Sequence, residues 1–190
     1  MKKAKILVGV IVLSALIIFG FTLVNYQGTT NGTQTITIGG LFPFSGVSAS
    51  FGERAKNAMD IAVDEVNQQY PFQLQIIYED DKGESAPAVS SANKLMEVDK
   101  VNVIIGTAKS DPMLAVAPLT ESKNVIFFTP IAGASAISQA GDYVFRNLEI
   151  PDAHGKGAAE YLKQKSVTRT ALLTAQASNA QSYAKAFKDH

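Results

Sequence analysis

The apolar positions from Thr35 onward change repeatedly between two periods. Residues 35–42, TITIGGLF, are rich in β-branched side chains, which predicts a strand. Residues 52–70 repeat apolar side chains three and four positions apart, which predicts one face of a helix formed by Ala55, Ala58, Met59, Ala62, Val63 and Val66. Further strands are predicted at 72–79, 101–106, 124–130, 143–147 and 169–174, and further helices at 85–98, 111–122, 151–165 and 179–190.

Strands that alternate with helices predict an α/β fold, in which a parallel sheet carries helices on both faces. Within the helix at 111–122, Pro118 is expected to kink or end the helix early, because proline lacks the N–H that a helix interior needs. Ligands of such sheets bind in the loops beyond the carboxyl ends of the strands. The loops that satisfy this rule are residues 40–52, 80–85, 106–112, 129–136 and 174–180.

The N-terminal residues follow a different pattern. Lysines at positions 2, 3 and 5 precede an uncharged apolar run from Ile6 to Val24. Basic residues before an apolar run are typical of an export signal, and this run is nearly long enough to span a bilayer as a helix. We therefore predict a signal peptide or transmembrane anchor at residues 1–24. An uncleaved anchor is favoured, because no clear cleavage site follows.

The segment after this run is polar and rich in Gly and Thr, which predicts a flexible tether at residues 25–34. The lysines are expected to stay on the cytoplasmic side of the membrane. The remainder of the chain is therefore predicted to lie outside the cytoplasm, either anchored by the N-terminal helix or secreted after its cleavage.

Composition narrows the possible functions. Lys and Arg together number 17, as do Asp and Glu, so no basic excess supports a nucleic-acid partner. The chain has no cysteine and only two histidines, which leaves thiolate and His-rich metal sites without ligands. The glycines form neither a dinucleotide-binding nor a Walker motif, and no G-x-S-x-G or H-E-x-x-H occurs. We predict no enzyme, no cofactor and no metal.

Two loops leave a functional and a structural interpretation open. Ser110 and Asp111 stand where a helix begins, so they form either an anion site at the helix N-terminus or an ordinary helix cap. Residues 127–136, FFTPIAGASA, leave a strand through Thr-Pro into small residues. The backbone of these residues, little covered by side chains, either binds a ligand or forms a tight turn between the strand and the next helix.

The acidic pair Asp80-Asp81 follows the second predicted strand. Such a pair suggests metal binding or a phospho-acceptor site. A receiver domain, however, needs its acidic pair after the first strand and an aspartate and a lysine after later strands, and these are absent. We therefore expect solvated turn acids.

Four segments, in this order, resemble the extracytoplasmic solute-binding proteins of the leucine/isoleucine/valine-binding type, which have the type I periplasmic-binding fold. The resemblance covers about residues 35 to 189. The segments are IGGLFPFSGVSASFGERAKNAMDIAVDEVN, YEDDKGESAPAVSSANKLM, VIIGTAKSDPMLAVAPLTESKNVIFFTP and DYVFRNLEIPDAHGKGAAEYL.

The resemblance implies a protein of two lobes that close on a small ligand and deliver it to the permease of an ABC importer. Residues 35–148 would form lobe one, and residues 149–190 would begin lobe two. The family needs a much longer chain, so lobe two is expected to be incomplete here. The implied ligand is an amino acid of the branched-chain kind, or a similar amide or carboxylate.

The resemblance also implies ligand-binding residues. The family's serine after the third strand falls on Ser110, and the backbone after its fourth strand falls on Ile131. The aromatic residue that precedes a glycine of the first helix falls on Phe51. Gly133 and Asn179 occupy two further ligand positions.

At those last two positions the chain departs from the family. Amino-acid binders place a threonine at the position of Gly133, although Ser135 could substitute after a small loop shift. A tyrosine of lobe two is replaced by Asn179, and an aspartate by Ala175. The resemblance therefore implies a weakened site for the ligand's ammonium group.

Two other functions stay open at this level. A ligand-sensing ectodomain of a membrane receptor would share the fold and would use the N-terminal anchor. An exported α/β enzyme is the weaker alternative, because the residues show no pair of nucleophile and base.

Overall fold

The computed structural model describes residues 34–190. The predicted N-terminal apolar helix, and the tether up to residue 33, lie outside the described residues. Five strands are formed: β1 Thr35–Phe42, β2 Gln73–Asp80, β3 Val103–Gly106, β4 Ile126–Thr129 and β5 Val144–Arg146. The helices are α1 Ala49–Gln69, α2 Ser85–Glu97, α3 Ser110–Lys123, α4 Pro151–Gln164 and α5 Ser178–Lys188, with short 3₁₀ turns at Gly46–Ser48 and Ser135–Gln139. Among these residues, no helix combines the length and hydropathy that a bilayer crossing requires.

The strands form one parallel sheet in the order β2-β1-β3-β4-β5. In its register, Phe42 is opposite Asp80, and Leu41 is opposite Gly106. Because all strands run in the same direction, their carboxyl ends meet at one edge of the sheet. The predicted α/β fold with a parallel sheet is confirmed.

Helices cover both faces of this sheet, as neighbouring positions on β1 demonstrate. A Cβ placed on Gly39 would lie 2.9 Å from Leu95 Cδ1, which belongs to α2. A Cβ placed on Gly40 would lie 2.6 Å from Tyr78 Cδ1 on the opposite face. There the Tyr78 hydroxyl donates to Asp60 Oδ1 of α1 at 2.6 Å. Thus α2 covers one face and α1 the other.

The main core lies on the face covered by α2 and α3. Burying a large apolar side chain there stabilises the fold by about 1.5–3 kcal/mol. The fully buried members of this cluster include Leu41, Leu95, Ile104, Met113, Val116 and Phe127.

Helix α1 buries less of its apolar face than the spacing predicts. Met59 and Val63 are half-buried, as expected, but Ala58 and Ala62 are exposed, and Gly52 alone of this helix is buried. The main contacts of α1 are with β1, β2 and the 3₁₀ turn that precedes it, so a narrow stripe of the helix is covered.

Pro118 is expected to kink its helix or end it early; the early end is wrong, because α3 continues to Lys123, and the kink stays a prediction. Pro118 faces solvent, where water can bond the carbonyl group that the missing N–H leaves free. The helix ends instead at Asn124, whose left-handed conformation (φ 54°) is a common helix stop.

The prediction of a strand at residues 169–174 is also wrong. This segment has no regular secondary structure, and Leu173 in it is 100% exposed. A strand requires backbone hydrogen bonds to a neighbouring strand. Within residues 34–190, no segment pairs with this one.

Helices α4 and α5 pack closely through a glycine. Gly155 of α4 is buried, and a Cβ placed on it would lie 2.5 Å from Ala186 Cβ and 2.7 Å from the Phe187 backbone nitrogen. At Gly157, two positions further along α4, no atom of the described part of the chain lies within 4 Å of the corresponding Cβ position. Only the first glycine is required by packing.

We expect Gly155→Ala to lower the free energy of unfolding by about 1–3 kcal/mol, because the added methyl group must separate α4 from α5. The matched control Gly157→Ala should raise it by about 0.5–1 kcal/mol through helix propensity alone. Chemical denaturation, together with hydrogen exchange of the α5 amides, measures both. Equal effects of the two substitutions would contradict this packing.

Candidate ligand-binding site

A cavity of about 210 Å³ lies at the carboxyl edge of the sheet. It is enclosed by the loop between β3 and α3, the loop after β4, and the beginning of α5. This is the location that the fold rule predicts for a ligand. Its lining consists of Ala108, Lys109, Ser110, Asp111, Ile131, Ala132, Ala177 and Asn179.

A larger cavity, of about 510 Å³, lies between α4, residues 172–175 and α5. Its lining is mostly apolar, with Leu172, Leu173 and Phe187 among its residues. The smaller cavity is the better candidate site, because polar groups that orient a ligand converge on it.

Ser110 is the central residue of the smaller cavity. It is 5% exposed, and its Oγ accepts hydrogen bonds from the backbone N–H of Gly133 at 3.2 Å and of Ala134 at 3.0 Å. These two bonds use both lone pairs of the hydroxyl. Its own hydrogen has no bonded acceptor among the described residues, so Ser110 is left able to donate to a ligand.

The structural alternative, in which Ser110 or Asp111 is the N-cap of α3, is wrong. The N-cap residue is Lys109, and no side chain of the described residues caps this helix. The positive N-terminal end of α3 borders the cavity, where it favours an anionic group, while Asp111 of its first turn offsets part of that charge.

Thr129, which sequence reasoning did not select, shapes the loop after β4. It is fully buried and donates to the Thr107 carbonyl oxygen at 3.1 Å. Its Oγ1 accepts from the N–H of Ile131 at 3.2 Å and of Ala132 at 2.9 Å. The Ile131 N–H, expected to meet the ligand, is thus bonded within the protein. The Thr-Pro pair at the end of the strand is the sequence signal that could have identified Thr129.

Asp111 connects α3 to α5. Its Oδ1 accepts from the Ser178 backbone N–H at 3.3 Å and from the Ser178 hydroxyl. Helix α5 has Ala177 at its N-cap and no side-chain cap of its own, so a carboxylate from α3 supplies that function. Helix α5 is also bonded to the 3₁₀ turn after β4, because the Ser135 N–H donates to Ser182 Oγ at 3.1 Å.

These contacts bring most of the predicted site residues together. Ser110, Ile131 and Asn179 line the cavity. Gly133 borders it, since a Cβ placed there would lie 3.9 Å from Asn179 Nδ2. Phe51 is not part of the lining. It lies in the first turn of α1, 47% exposed, with the Arg54 guanidinium 4.8 Å from its ring centre.

The expectation of solvated turn acids at Asp80-Asp81 is wrong. Asp80 holds the loop after β1, because its Oδ1 accepts from the Phe44 N–H at 2.8 Å and its Oδ2 from the Ser45 hydroxyl at 2.5 Å. Burial alone would raise the pKa of Asp80, but the hydrogen bonds from Ser45, Lys82 and Phe44 outweigh it and lower that pKa.

Asp81 is fully buried. Its Oδ1 accepts from the Gly83 N–H at 2.7 Å, while its Oδ2 has no hydrogen-bond partner among residues 34–190. Burial raises the pKa of Asp81 to about 6, since removal from water disfavours the charged form. This unpaired carboxyl lies at the same sheet edge as the cavity.

Asp81 should make stability depend on pH. Between its ordinary pKa of 3.8 and its folded-state pKa of about 6, the folded chain retains a proton that the unfolded chain has released. Its contribution to the free energy of unfolding therefore falls as pH rises through this window, by about 3 kcal/mol in total. The Asp81→Asn variant does not titrate, so it should gain stability relative to the unaltered chain between pH ~4 and ~6.

Chemical denaturation across this pH range tests the expectation, with the exposed Asp142→Asn as the control. A difference between Asp81→Asn and the unaltered chain that stays constant with pH would contradict it.

Comparison with known proteins places this fold and site in context. Residues 35–190 match the family described as periplasmic binding protein. The Leu/Ile/Val-binding protein BraC3 of Rhizobium johnstonii is 30% identical over 80% of this chain and 43% of its own length. The chain thus spans less than half the length of this curated relative.

Solved structures of solute-binding proteins share the fold of this chain. A solute-binding protein of an ABC transporter from R. palustris, in complex with 4-hydroxybenzoate, superposes with a TM-score of 0.74 at 26% identity, over 82% of this chain and 43% of that one. The LivJ protein of Streptococcus pneumoniae, in complex with isoleucine, has the same fold, with a TM-score of 0.69 at 24% identity over 82% and 46% of the two chains.

These relatives are binding proteins, which confirms both the resemblance seen in the sequence and the prediction of a binding protein rather than an enzyme. The match to the family covers the whole sheet and all of the described helices. The chain belongs to the periplasmic binding protein family.

Proposed function

We propose that this chain is the ligand-binding part of an extracytoplasmic solute-binding protein that serves an ABC-type importer. The observation that carries the proposal is the buried Ser110 hydroxyl, which lines a cavity at the carboxyl edge of the sheet. Its oxygen accepts two backbone hydrogen bonds, so its hydrogen can be donated to a ligand. The relatives reported above are named for small carboxylic acids: one as a Leu/Ile/Val-binding protein, the other as a complex with 4-hydroxybenzoate.

The ligand is a small molecule with a carboxylate group. Ser110 donates its hydroxyl hydrogen to a carboxylate oxygen, and the N-terminal end of α3 stabilises the negative charge. Ile131, Gly133 and Asn179 form the wall around it. Phe51, outside the lining, is proposed as a further apolar contact for the ligand.

We propose that the cavity lies between two lobes. Residues 35–148 form lobe one, which holds the sheet and Ser110. Residues 149–190 begin lobe two, and α5 brings Asn179 to the cavity. Hinge closure of such lobes buries a ligand between them. The contact between Asp111 and Ser178 supports a pairing of the two parts.

The proposed location is the periplasm or the cell surface. Residues 1–24 supply either an export signal or a membrane anchor, and residues 25–34 a tether. The partners are the small-molecule ligand, the membrane and the permease of the importer. No nucleic acid and no cofactor is involved.

Ser110→Ala should weaken binding of L-leucine and of 4-hydroxybenzoate by about 10- to 100-fold, because a hydrogen bond to a charged group contributes about 1.5–3 kcal/mol. Ser122→Ala is the matched control: it removes a hydroxyl from the other end of the same helix, where Ser122 is exposed and bonded to the Leu119 carbonyl. Titration of the full chain, followed by ¹H–¹⁵N NMR, measures affinity and reveals any loss of folding.

Equal affinities of the Ser110→Ala and Ser122→Ala variants would show that the carboxylate binds elsewhere. If the folded, unaltered chain binds neither probe, the proposed function itself fails.

A further inference from the structure

The guanidinium group of Arg146, the last residue of β5, bonds the backbone of the loop after β4. Its Nη1 donates to the carbonyl oxygens of Gly133 at 3.2 Å and of Ala134 at 2.8 Å, and its Nη2 donates to Ser138 Oγ at 2.6 Å. Arg146 is half-buried, and no carboxylate oxygen of residues 34–190 lies within 4.0 Å of its side-chain nitrogens. Its positive charge therefore acts mainly on these carbonyl groups.

One peptide group connects Arg146 to the candidate site. The carbonyl oxygen of the Gly133–Ala134 peptide accepts from Arg146, and the N–H of the same peptide donates to Ser110 Oγ at 3.0 Å. The C=O and N–H of a peptide are conjugated through the C–N bond. A cation at the oxygen therefore makes the N–H a stronger donor, since hydrogen bonds in such a chain polarise one another.

Ser110 continues this chain of hydrogen bonds into the cavity. Because its oxygen accepts the Ala134 N–H, its own hydrogen becomes a stronger donor to an acceptor in the cavity. The chain then runs from the guanidinium through the peptide and the hydroxyl to a ligand carboxylate. Every bond in it is donated from the side of the cation toward the anion, which is the direction in which the bonds strengthen one another.

We infer that Arg146 is a positioning residue of the ligand site, and that its charge strengthens the hydrogen bond from Ser110 to the ligand through the Gly133–Ala134 peptide. The inference rests on the proposed function, because it adds a remote group to the same carboxylate site. Arg146 does not belong to the described residues that line the cavity, so its effect on affinity must pass through the loop.

A purely structural role is the competing explanation. The Ala134 carbonyl oxygen also accepts from Arg146, and the N–H of that second peptide belongs to Ser135, which donates to Ser182 of α5. If Arg146 serves only to hold this loop against α5, its loss weakens binding whether or not the Ser110 hydroxyl is present. The inferred role requires that hydroxyl.

A double-mutant cycle on Arg146 and Ser110 separates the two roles. In the full 190-residue chain, kept in a mild detergent, Arg146→Gln should weaken binding of L-leucine and of 4-hydroxybenzoate by about three- to tenfold. In the Ser110→Ala background, the same substitution should change either dissociation constant by less than about twofold. Arg169→Gln is the matched control, since it removes an exposed arginine outside the cavity lining, and it should leave both affinities unchanged.

Arg146→Lys is the milder variant for the case in which Arg146→Gln does not fold. It retains the charge but loses the planar arrangement of donors that bonds two carbonyl groups together. We expect it to weaken binding by about two- to fivefold, again only when Ser110 is present.

Two amide protons report on the chain of hydrogen bonds without any ligand. The N–H groups of Gly133 and Ala134 both donate to Ser110 Oγ, but only the Ala134 N–H belongs to a peptide whose carbonyl oxygen accepts from Arg146. In ¹H–¹⁵N spectra, Arg146→Gln should therefore move the Ala134 amide proton upfield by more than that of Gly133. Equal shifts of the two protons would contradict the inference.

The outcomes separate the inference from the proposed function. Equal losses of affinity with and without the Ser110 hydroxyl would overturn the inference, as would no loss in Arg146→Gln, and both results leave the proposed function intact. Binding of neither probe by the folded, unaltered chain would overturn the proposed function and the inference together.

Discussion

Two buried hydroxyls, those of Thr129 and Ser110, hold the loop after β4 against the beginning of α3, and the candidate site depends on them. The loop runs through the protein at a sheet edge, where its backbone N–H groups need partners. Thr129 satisfies the N–H groups of Ile131 and Ala132, and Ser110 satisfies the next two along the chain. Without these bonds, each N–H group that stayed buried would lose its partner, which costs about 1–3 kcal/mol per group.

Close backbone approaches explain the glycines around the site. A Cβ on Gly52 would lie 2.1 Å from the Pro43 carbonyl oxygen, and a Cβ on Gly106 would lie 2.1 Å from that of Leu41. Any larger residue would push the loop after β1 away from α1, or β3 away from β1. Gly52 in α1 and Gly106 at the end of β3 therefore serve the packing of the sheet edge, and Gly106 begins the loop that leads to Ser110.

Local patterns were sufficient for the fold class and for every element of the sheet, but they also predicted a strand at residues 169–174 that is not formed. Apolar spacing identified the five strands of the sheet and the helices between them, because each element must bury one face. The alternation of the two then required a parallel sheet, and a parallel sheet places its strand ends at one edge. The resemblance added Ser110, Ile131 and Asn179, which this edge brings to one cavity.

The sequence by itself determined the order of strands and helices, the class of fold, the family and the edge at which to look for a site. Only the tertiary structure decided which polar groups lose contact with water. Asp81 is buried, whereas its neighbour Asp80 accepts a hydrogen bond from the Ser45 hydroxyl in the loop after β1. Asp111 meets Ser178 across 67 positions. Burial and partners of this kind arise from long-range packing, which no local pattern of residues encodes.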